Sequence, residues 1–366
     1  MKKTVWALIA AGTAAMSANA AQVTAYGTID LGLGYLHQNN GTNSFKLADS
    51  QQTMDRLGLR GFEEFPGGYK VGFILENGFH SANGKFADSN RLFNREATLY
   101  VQGDFGKIGF GRIGEFRSGN GSWCLYGAAI APFSTAWGDA VPGHRAVMAG
   151  TWGRLDNAVA YKTPTVAGLT GYVQYSGGVN GVSNAEQNNT KTNRYYSAAV
   201  SYRNGPLYAI LIGDKYDSES FGRTDVRDPV TISGAVTYDA SFGKLFFDAQ
   251  YFKEARIGRN PIKTEGLAGC TTSAGYVDGF GVNIGIKAPA AGGFVYSNAG
   301  YMSAKKAGDH DKTLKRYTFA LGYQHMFTKR TFAYVGGGYY QDVYAKSTSV
   351  SDGKSVNFVT GIVHSF

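Results

Sequence analysis

Hydrophobic and polar residues alternate along this chain with a period of two. In the clearest example the odd positions carry the apolar side chains: Val23, Ala25, Ile29, Leu31, Leu33 and Tyr35. Period two puts successive side chains on opposite faces of a β-strand. This segment (residues 23–35) is longer than the globular average of about 5–6 residues. The pattern predicts a long strand with one apolar face.

Similar segments recur as far as the C terminus, and we count sixteen of them. Their connections are alternately short turns and long polar segments. The long segments cover residues 37–51, 80–91, 114–151, 179–193, 217–228, 255–274, 304–313 and 343–353. An even number of strands joined in this way is typical of an outer-membrane barrel. We therefore predict an all-β fold, a 16-stranded antiparallel transmembrane β-barrel with both termini on the short-turn, periplasmic side.

The last segment, residues 356–366, ends in the middle of a strand pattern. Val356, Phe358, Ile362 and Phe366 share one parity, and the chain stops on the final aromatic residue. We expect this strand to pair with the first, because a closed barrel leaves no sheet edge unpaired in lipid. Thr360 and His364 share the outward parity, and His364 is expected at the periplasmic interface.

Composition agrees with many short-period strands. The chain has 51 Gly, 24 Tyr and 23 Phe but 8 Pro. Beyond the N terminus no apolar run approaches 18 residues, which excludes a helical membrane protein. The mean hydropathy of −0.22 does not argue against a membrane barrel, because alternate residues alone face lipid.

Residues 1–20 have the pattern of a secretory signal peptide. Lys2 and Lys3 precede a short apolar run at residues 5–15, and Ala18-Asn19-Ala20 forms a small-x-small cleavage motif. We predict cleavage after Ala20 and one barrel domain over residues 21–366.

The third long segment, residues 114–151, differs from the others in its apolar content. It carries Phe116, Trp123, Leu125, Tyr126, Ile130, Phe133, Trp137 and Val141. A structureless loop of this length is improbable unless it packs against something. We expect it to fold back into the barrel and narrow the pore; the alternative is an extracellular Ω-loop held by its own side chains.

Charged residues on the polar parity of the strands are expected to face the lumen. This places Arg56, Arg60, Lys70, Glu76 and Arg154 inside, since a charge on the lipid face costs about 2–4 kcal/mol at the midplane.

Arg95 and Arg112 share the parity of apolar neighbours instead. Both lie near strand ends, where a bulge or a loop junction can redirect a side chain. We keep both as pore candidates.

Several motifs resemble one family in order and spacing. They are RLGLRG (56–61), GYKVGFILE (68–76), FNREA (93–97), FGKIGFGR (105–112), YKTP (161–164), LGYQHMFTKRT (321–331) and GIVHSF (361–366). The chain resembles the trimeric general diffusion porins of Gram-negative outer membranes, in their beta-proteobacterial type. The resemblance implies a homotrimer with an inward-folded third loop, passive diffusion of small hydrophilic solutes and ions, and recognition of the Phe366 strand by the barrel-assembly machinery.

The resemblance also implies a pore constriction. Arg56, Arg95 and Arg154 would form a basic cluster with Glu76 nearby, and Glu115 or Asp139 on the third loop would oppose it. Fixed positive charge in a narrow pore favours anions. The competing interpretation of any such arginine is a wall residue that is paired with a carboxylate and stiffens the barrel.

Other chemistry is sparse. The six His and two Cys have no metal-ligand spacing, and we expect no metal, cofactor or nucleic-acid partner. The expected partners are outer-membrane lipid, lipopolysaccharide and small solutes. Cys124 and Cys270 both fall in predicted loops of an exported chain, where a disulfide is allowed.

Three rival functions remain open. An enzyme would need a triad such as Ser134, Asp139 and His144, but nothing in their spacing supplies the geometry, and we expect no enzyme. A substrate-specific channel for a sugar or an organic anion would use aromatic residues of the third loop. A soluble β-rich adhesin would not enter membranes.

Overall fold

A computed structural model describes residues 22–39, 41, 43–138, 141–179, 187–188, 192–218, 227–257, 276–345 and 352–366. The predicted signal peptide lies outside these residues, so its cleavage stays a prediction. Within the described part of the chain, no helix is long and apolar enough to cross a membrane.

The described elements are almost all strands, with two single-turn 3₁₀ helices at Gly127–Ala129 and His144–Val147. The strands are β1 (Gln22–Gln38), β2 (Asn43–Asp49), β3 (Arg56–Phe65), β4 (Tyr69–Gly78), β5 (Glu96–Gly103), β6 (Gly106–Gly114), β7 (Ala136–Trp137), β8 (Val141–Pro142), β9 (Arg154–Lys162), β10 (Leu169–Ser176), β11 (Arg194–Asn204), β12 (Leu207–Asp217), β13 (Val230–Ala240), β14 (Gly243–Ala255), β15 (Val277–Ala290), β16 (Gly293–Lys306), β17 (Asp309–Met326), β18 (Thr331–Ala345) and β19 (Gly353–Ser365).

All strands except β7 and β8 belong to one antiparallel sheet, which closes on itself. Closure is made by β1 and β19, whose register runs from Thr28 opposite Ser365 to Gln38 opposite Ser355. The backbone N–H groups of Gly27 and Phe366 each donate to the other residue's carbonyl oxygen at 3.1 Å. The expectation that the last strand pairs with the first is therefore confirmed.

One strand position is filled by two segments. Residues 49–43 of β2 pair with residues 31–37 of β1, and residues 62–56 of β3 pair with residues 22–28 on the same edge of β1. Counted together, β2 and β3 bring the barrel to sixteen strand positions, as predicted.

The interruption between β2 and β3 is held against the inside of the barrel. The backbone N–H groups of Gln52 and Thr53 donate to the carboxylate of Asp30 at 2.6 and 2.8 Å, and the Tyr334 hydroxyl donates to it at 2.7 Å. Asp30 is fully buried on the polar parity of β1. Its carboxylate therefore fixes the inward step of the wall.

Two predicted long loops are wrong. Most of segment 37–51 is strand, with residues 39–42 alone between β1 and β2, and segment 304–313 is a tight hairpin that turns at residues 307–308. Segment 304–313 is polar, whereas in segment 37–51 β2 places Phe45 and Leu47 on the outer face at 70% and 57% exposure, two apolar positions that are too few to mark a strand in the sequence. A polar strand lacks the alternation that marks its membrane-facing part.

The outward parity is apolar, as predicted. Leu57, Phe358 and Ile362 are 52%, 53% and 56% exposed, and their neighbours along each strand point inward. Thr360 and His364 are exposed on the same outer face.

Loop 3, residues 115–153 between β6 and β9, packs on the opposite face of the sheet. Trp137 lies 5.0 Å from the ring centroid of Tyr296 and 5.7 Å from that of Tyr334. Phe116, Trp123, Tyr126 and Ile130 are buried in one cluster with inward side chains of β9 to β13. The inner face of a closed sheet is the barrel interior, so these are the contacts of a loop folded into the lumen.

Candidate functional site

A cavity of about 440 Å³ lies inside the barrel between loop 3 and the wall formed by β1 to β3. Loop 3 contributes small and polar residues at positions 118–120 and 134–136, and the wall contributes the interruption at residues 50–54. The charged residues that line the cavity are Lys46, Asp49, Arg56, Arg95, Arg145 and Arg154.

Glu76 joins two of these arginines. Its Oε1 accepts a hydrogen bond from Nε of Arg95 at 2.6 Å, and its Oε2 lies 3.7 Å from Nε of Arg56. The Tyr26 hydroxyl donates to the same Oε2 at 3.0 Å. One carboxylate thus holds two guanidinium groups, and the group of three keeps a net positive charge.

Arg95 reaches the cavity although its parity predicts the outer face. It precedes β5, which begins at Glu96, so strand alternation does not govern its direction. Its backbone N–H donates to the carbonyl oxygen of Glu76 at 3.1 Å, and its side chain is 6% exposed.

Arg154 opens β9 on the far side of loop 3. Its Nη2 donates to Oδ1 of Asn120 at 3.2 Å, and it forms no ion pair with any described residue. Its charge is therefore the least compensated of the predicted arginine cluster.

Sequence reasoning missed two basic residues that line the cavity. Arg145 belongs to the second 3₁₀ helix of loop 3, with its guanidinium 6.0 Å from the ring centroid of Trp152. The signal was available, since the loop was expected inside the barrel. Lys46 lies on β2, which was predicted as loop and so had no parity to interpret.

Three of the predicted pore residues do not line the cavity: Arg60, Lys70 and Arg112. Arg60 is exposed, with its guanidinium 5.2 Å from the ring centroid of Tyr26. Lys70 pairs with Glu64 at 2.8 Å beside a short turn. Parity predicts the side of the sheet that a residue faces but not its depth along the barrel.

Arg112 is likewise absent from the cavity lining. It forms an ion pair with Asp156, and its Nε donates to the carbonyl oxygen of Asn94 at 2.8 Å. The register of β6 against β9 shifts between Gly111 and Ile113. The irregularity expected at this strand end is therefore present, and it turns the Arg112 side chain towards the carboxylate of Asp156.

Glu115 does not oppose the arginines, and that expectation is wrong. The side chain is fully buried between loop 3 and the wall. Its Oε1 accepts hydrogen bonds from Thr151 at 2.6 Å, from the backbone of Gly153 at 3.0 Å and from Tyr216 at 2.5 Å. The other acidic candidate, Asp139, lies outside the described residues.

The described lining is strongly positive. Five basic side chains face the cavity, and the one lining carboxylate is Asp49. Asp49 itself accepts hydrogen bonds from the His80 ring at 3.1 Å and from the backbone of Ala82 at 3.1 Å. It is thus engaged by the second long loop.

The candidate triad is not assembled among the described residues. Both ring nitrogens of the buried His144 have no hydrogen-bond partner there, and the ring packs edge-on against Tyr126 and Trp152. Burial and the charges of Arg145 and Arg117 lower the pKa of His144 to about 3, so the ring is neutral. Asp139 is not described.

The described residues also contain no cluster of three His, Cys, Asp or Glu side chains that could hold a metal ion. Cys124 forms no disulfide with any described residue, and its Sγ lies 3.2 Å from the carbonyl oxygen of Tyr126. Cys270 lies outside the described residues, so their pairing stays a prediction.

The closed barrel thus encloses a cavity whose described lining is positively charged. The family model described as Gram-negative porin matches residues 7–343. The chain belongs to the Gram-negative porin family. This porin is 31% identical to an outer membrane porin protein of Bordetella pertussis over the whole of both chains. It is 29% identical to outer membrane porin protein 32 of Delftia acidovorans, over 91% of this chain and 88% of that protein.

Solved porin structures share the fold. An anion-selective porin from Comamonas acidovorans superposes with a TM-score of 0.70 at 23% identity, covering 95% of this chain and all of the other. OmpT of Vibrio cholerae in its trimer form gives a TM-score of 0.67 at 15% identity, with the same coverage. This porin therefore resides in the outer membrane and forms a channel for passive diffusion.

Proposed function

We propose that this porin is a general diffusion channel that prefers anions, with Arg56, Arg95 and Arg154 as the central filter. The observation that carries the proposal is the described lining, with five basic side chains and one engaged carboxylate. Arg154 contributes most, because no described carboxylate neutralises it.

The expected size of the effect follows from Coulomb's law. One uncompensated charge about 5 Å from an ion in bulk water contributes about 0.8 kcal/mol. That energy raises the local anion concentration about fourfold and lowers the cation concentration by the same factor. Screening acts over about 8–10 Å at ordinary salt, so ions in the constriction feel the charge.

Reversal potentials across planar bilayers in a KCl gradient test the proposal. Arg154→Gln should lower the anion-to-cation permeability ratio about 5- to 16-fold; the larger figure is the product of the two fourfold factors, and the smaller one includes screening. The matched control is Arg227→Gln, since Arg227 pairs with Glu254 away from the cavity. Clear cation selectivity of the wild-type channel would refute the proposal.

The alternative, a channel specific for a sugar or an organic anion, needs aromatic rings displayed to the solute. Trp123, Tyr126, Phe133 and Trp137 are instead at most 5% exposed, because they anchor loop 3 to the wall. Their burial favours general diffusion. Saturable block of single-channel current by one solute would support the specific channel instead.

We infer that the porin functions as a homotrimer in contact with outer-membrane lipid and lipopolysaccharide, with both termini periplasmic. We also infer that residues 1–20 are removed as a signal peptide and that residues 21–366 form one barrel domain. The barrel-assembly machinery would recognise the C-terminal strand that ends at Phe366. We infer no catalytic activity. N-terminal sequencing of the outer-membrane protein should begin at Ala21, and native gels should show a heat-sensitive trimer.

A further inference from the structure

Inside the short-turn mouth lies a second set of basic residues, here called the mouth ring. It comprises Lys70, Lys107, Lys162, Arg203, Lys244 and Lys287, each on the inward parity of its strand near a short turn. Each cation lies over an inward aromatic ring, at 4.1 Å from Phe62, 4.0 Å from Tyr100, 5.9 Å from Tyr172, 4.6 Å from Tyr208, 5.6 Å from Phe246 and 4.2 Å from Phe294, respectively.

Two pairs of like charges face each other directly across neighbouring strands. Lys107 on β6 is opposite Lys162 on β9, and Lys244 on β14 is opposite Lys287 on β15. Cross-strand neighbours have Cβ atoms about 4.5–5.5 Å apart, and like charges there are destabilising. The lysines therefore work against the stability of the sheet, so its own packing does not explain them.

The mouth ring keeps most of its charge. Lys70 pairs with Glu64 at 2.8 Å and Lys244 pairs with Asp239 at 3.7 Å. The other four members have no ion pair within the described part of the chain, which leaves six positive charges against two negative ones. The aromatic rings attract the cations but do not neutralise them.

The mouth ring is electrostatically separate from the arginine cluster. Along β9, Lys162 lies eight residues beyond Arg154 (162 − 154). At about 3.3 Å per residue this is about 26 Å of strand, or about 20 Å along the axis of a barrel tilted by about 40°. That separation exceeds the Debye length of about 8–10 Å at ordinary salt.

We propose that the mouth ring is a second anion filter, in series with the arginine cluster, and that it makes conduction asymmetric. It raises the anion concentration at the short-turn mouth when the solution there is dilute. The proposal rests on the anion preference proposed above, to which it adds a direction.

The test uses the assembled channel with all four facing lysines neutralised: Lys107→Gln, Lys162→Gln, Lys244→Gln and Lys287→Gln. Conductance is measured with dilute KCl on one side and concentrated KCl on the other, for both directions of the gradient. When the dilute side is the short-turn mouth, the conductance of the wild type should be at least about twofold that of the charge-neutralised variant. With the gradient reversed the two should agree, and in 1 M salt on both sides the difference should vanish, because the Debye length is then about 3 Å.

Two further variants control the experiment. The fourfold Lys→Arg variant restores the charge and should restore the wild-type asymmetry. Lys253→Gln removes an exposed outward charge from β14, far from the mouth, and should change nothing.

Equal asymmetry in the wild type and the fourfold Gln variant overturns the proposal. If that variant does not assemble, the exposed Lys162→Gln alone carries the test, and an unchanged asymmetry there is equally decisive. A wild-type channel that prefers cations would refute the anion preference assigned to the arginine cluster. Loss of asymmetry in the fourfold Gln variant would still support the role of the mouth ring.

Discussion

Replacing Arg316 with methionine should destabilise the barrel and loosen loop 3. Arg316 on β17 is fully buried, and its Nε and Nη2 donate to the two carboxylate oxygens of Asp342 at 2.7 Å each. Its Nη1 donates to the carbonyl oxygen of Ala146 in loop 3 at 3.0 Å. One side chain thus neutralises a buried carboxylate of the wall and holds the loop to that wall.

The magnitude follows from the charge that would be left behind. Removing one partner of a buried ion pair costs about 3–5 kcal/mol, because the other charge stays desolvated. At about 2–4 °C per kcal/mol, the midpoint of thermal unfolding of Arg316→Met should fall by about 6–20 °C. Circular dichroism of the purified channel measures that midpoint.

The double variant Arg316→Met with Asp342→Leu separates stability from loop position. Replacing both charges with apolar side chains should recover most of the lost stability. The Ala146 carbonyl oxygen still loses its donor, so single-channel current noise should stay above the wild-type level. Our reasoning is refuted if the free energy of unfolding of Arg316→Met lies within about 1 kcal/mol of the wild-type value and its single-channel current noise is also at the wild-type level.

Three further predictions concern other contacts. A Cβ at Gly281 would overlap the carbonyl oxygen of Val147, so Gly281→Ala should push loop 3 towards the lumen and lower single-channel conductance in 1 M KCl. Phe366→Ala removes the ring packed against Gly27 and should lower the amount of folded porin in outer-membrane fractions severalfold, as immunoblotting would show; unchanged amounts would contradict it. If Cys124 and Cys270 pair, the protein purified without reductant should contain no titratable thiol, whereas two thiols would exclude the disulfide.

Alternation predicted which side chains point outward, because a charged side chain in contact with lipid is strongly destabilising. Leu57 and Leu59 point outward at 52% and 42% exposure, and Arg56, which directly precedes Leu57, points inward. The pairing at the seam could also be predicted, since closing the barrel leaves β19 one free partner, β1.

Depth along the barrel could not be predicted in the same way. Arg56 and Lys70 have the same inward parity, yet Arg56 lines the cavity and Lys70 lies beside a short turn. The burial of Glu115 depends on Tyr216, which lies 101 residues further along the chain. No local pattern reports such a contact.

The interruption between β2 and β3 has a consequence for how the channel can vary. Each segment is paired separately with β1, so residues added or removed at positions 50–55 need not shift the register of either flanking strand. Residues 50–54 of this segment line the cavity from the side that faces loop 3. The width of this channel can therefore be changed by the length of a short wall segment, while the strand number and the closure of the barrel stay as they are.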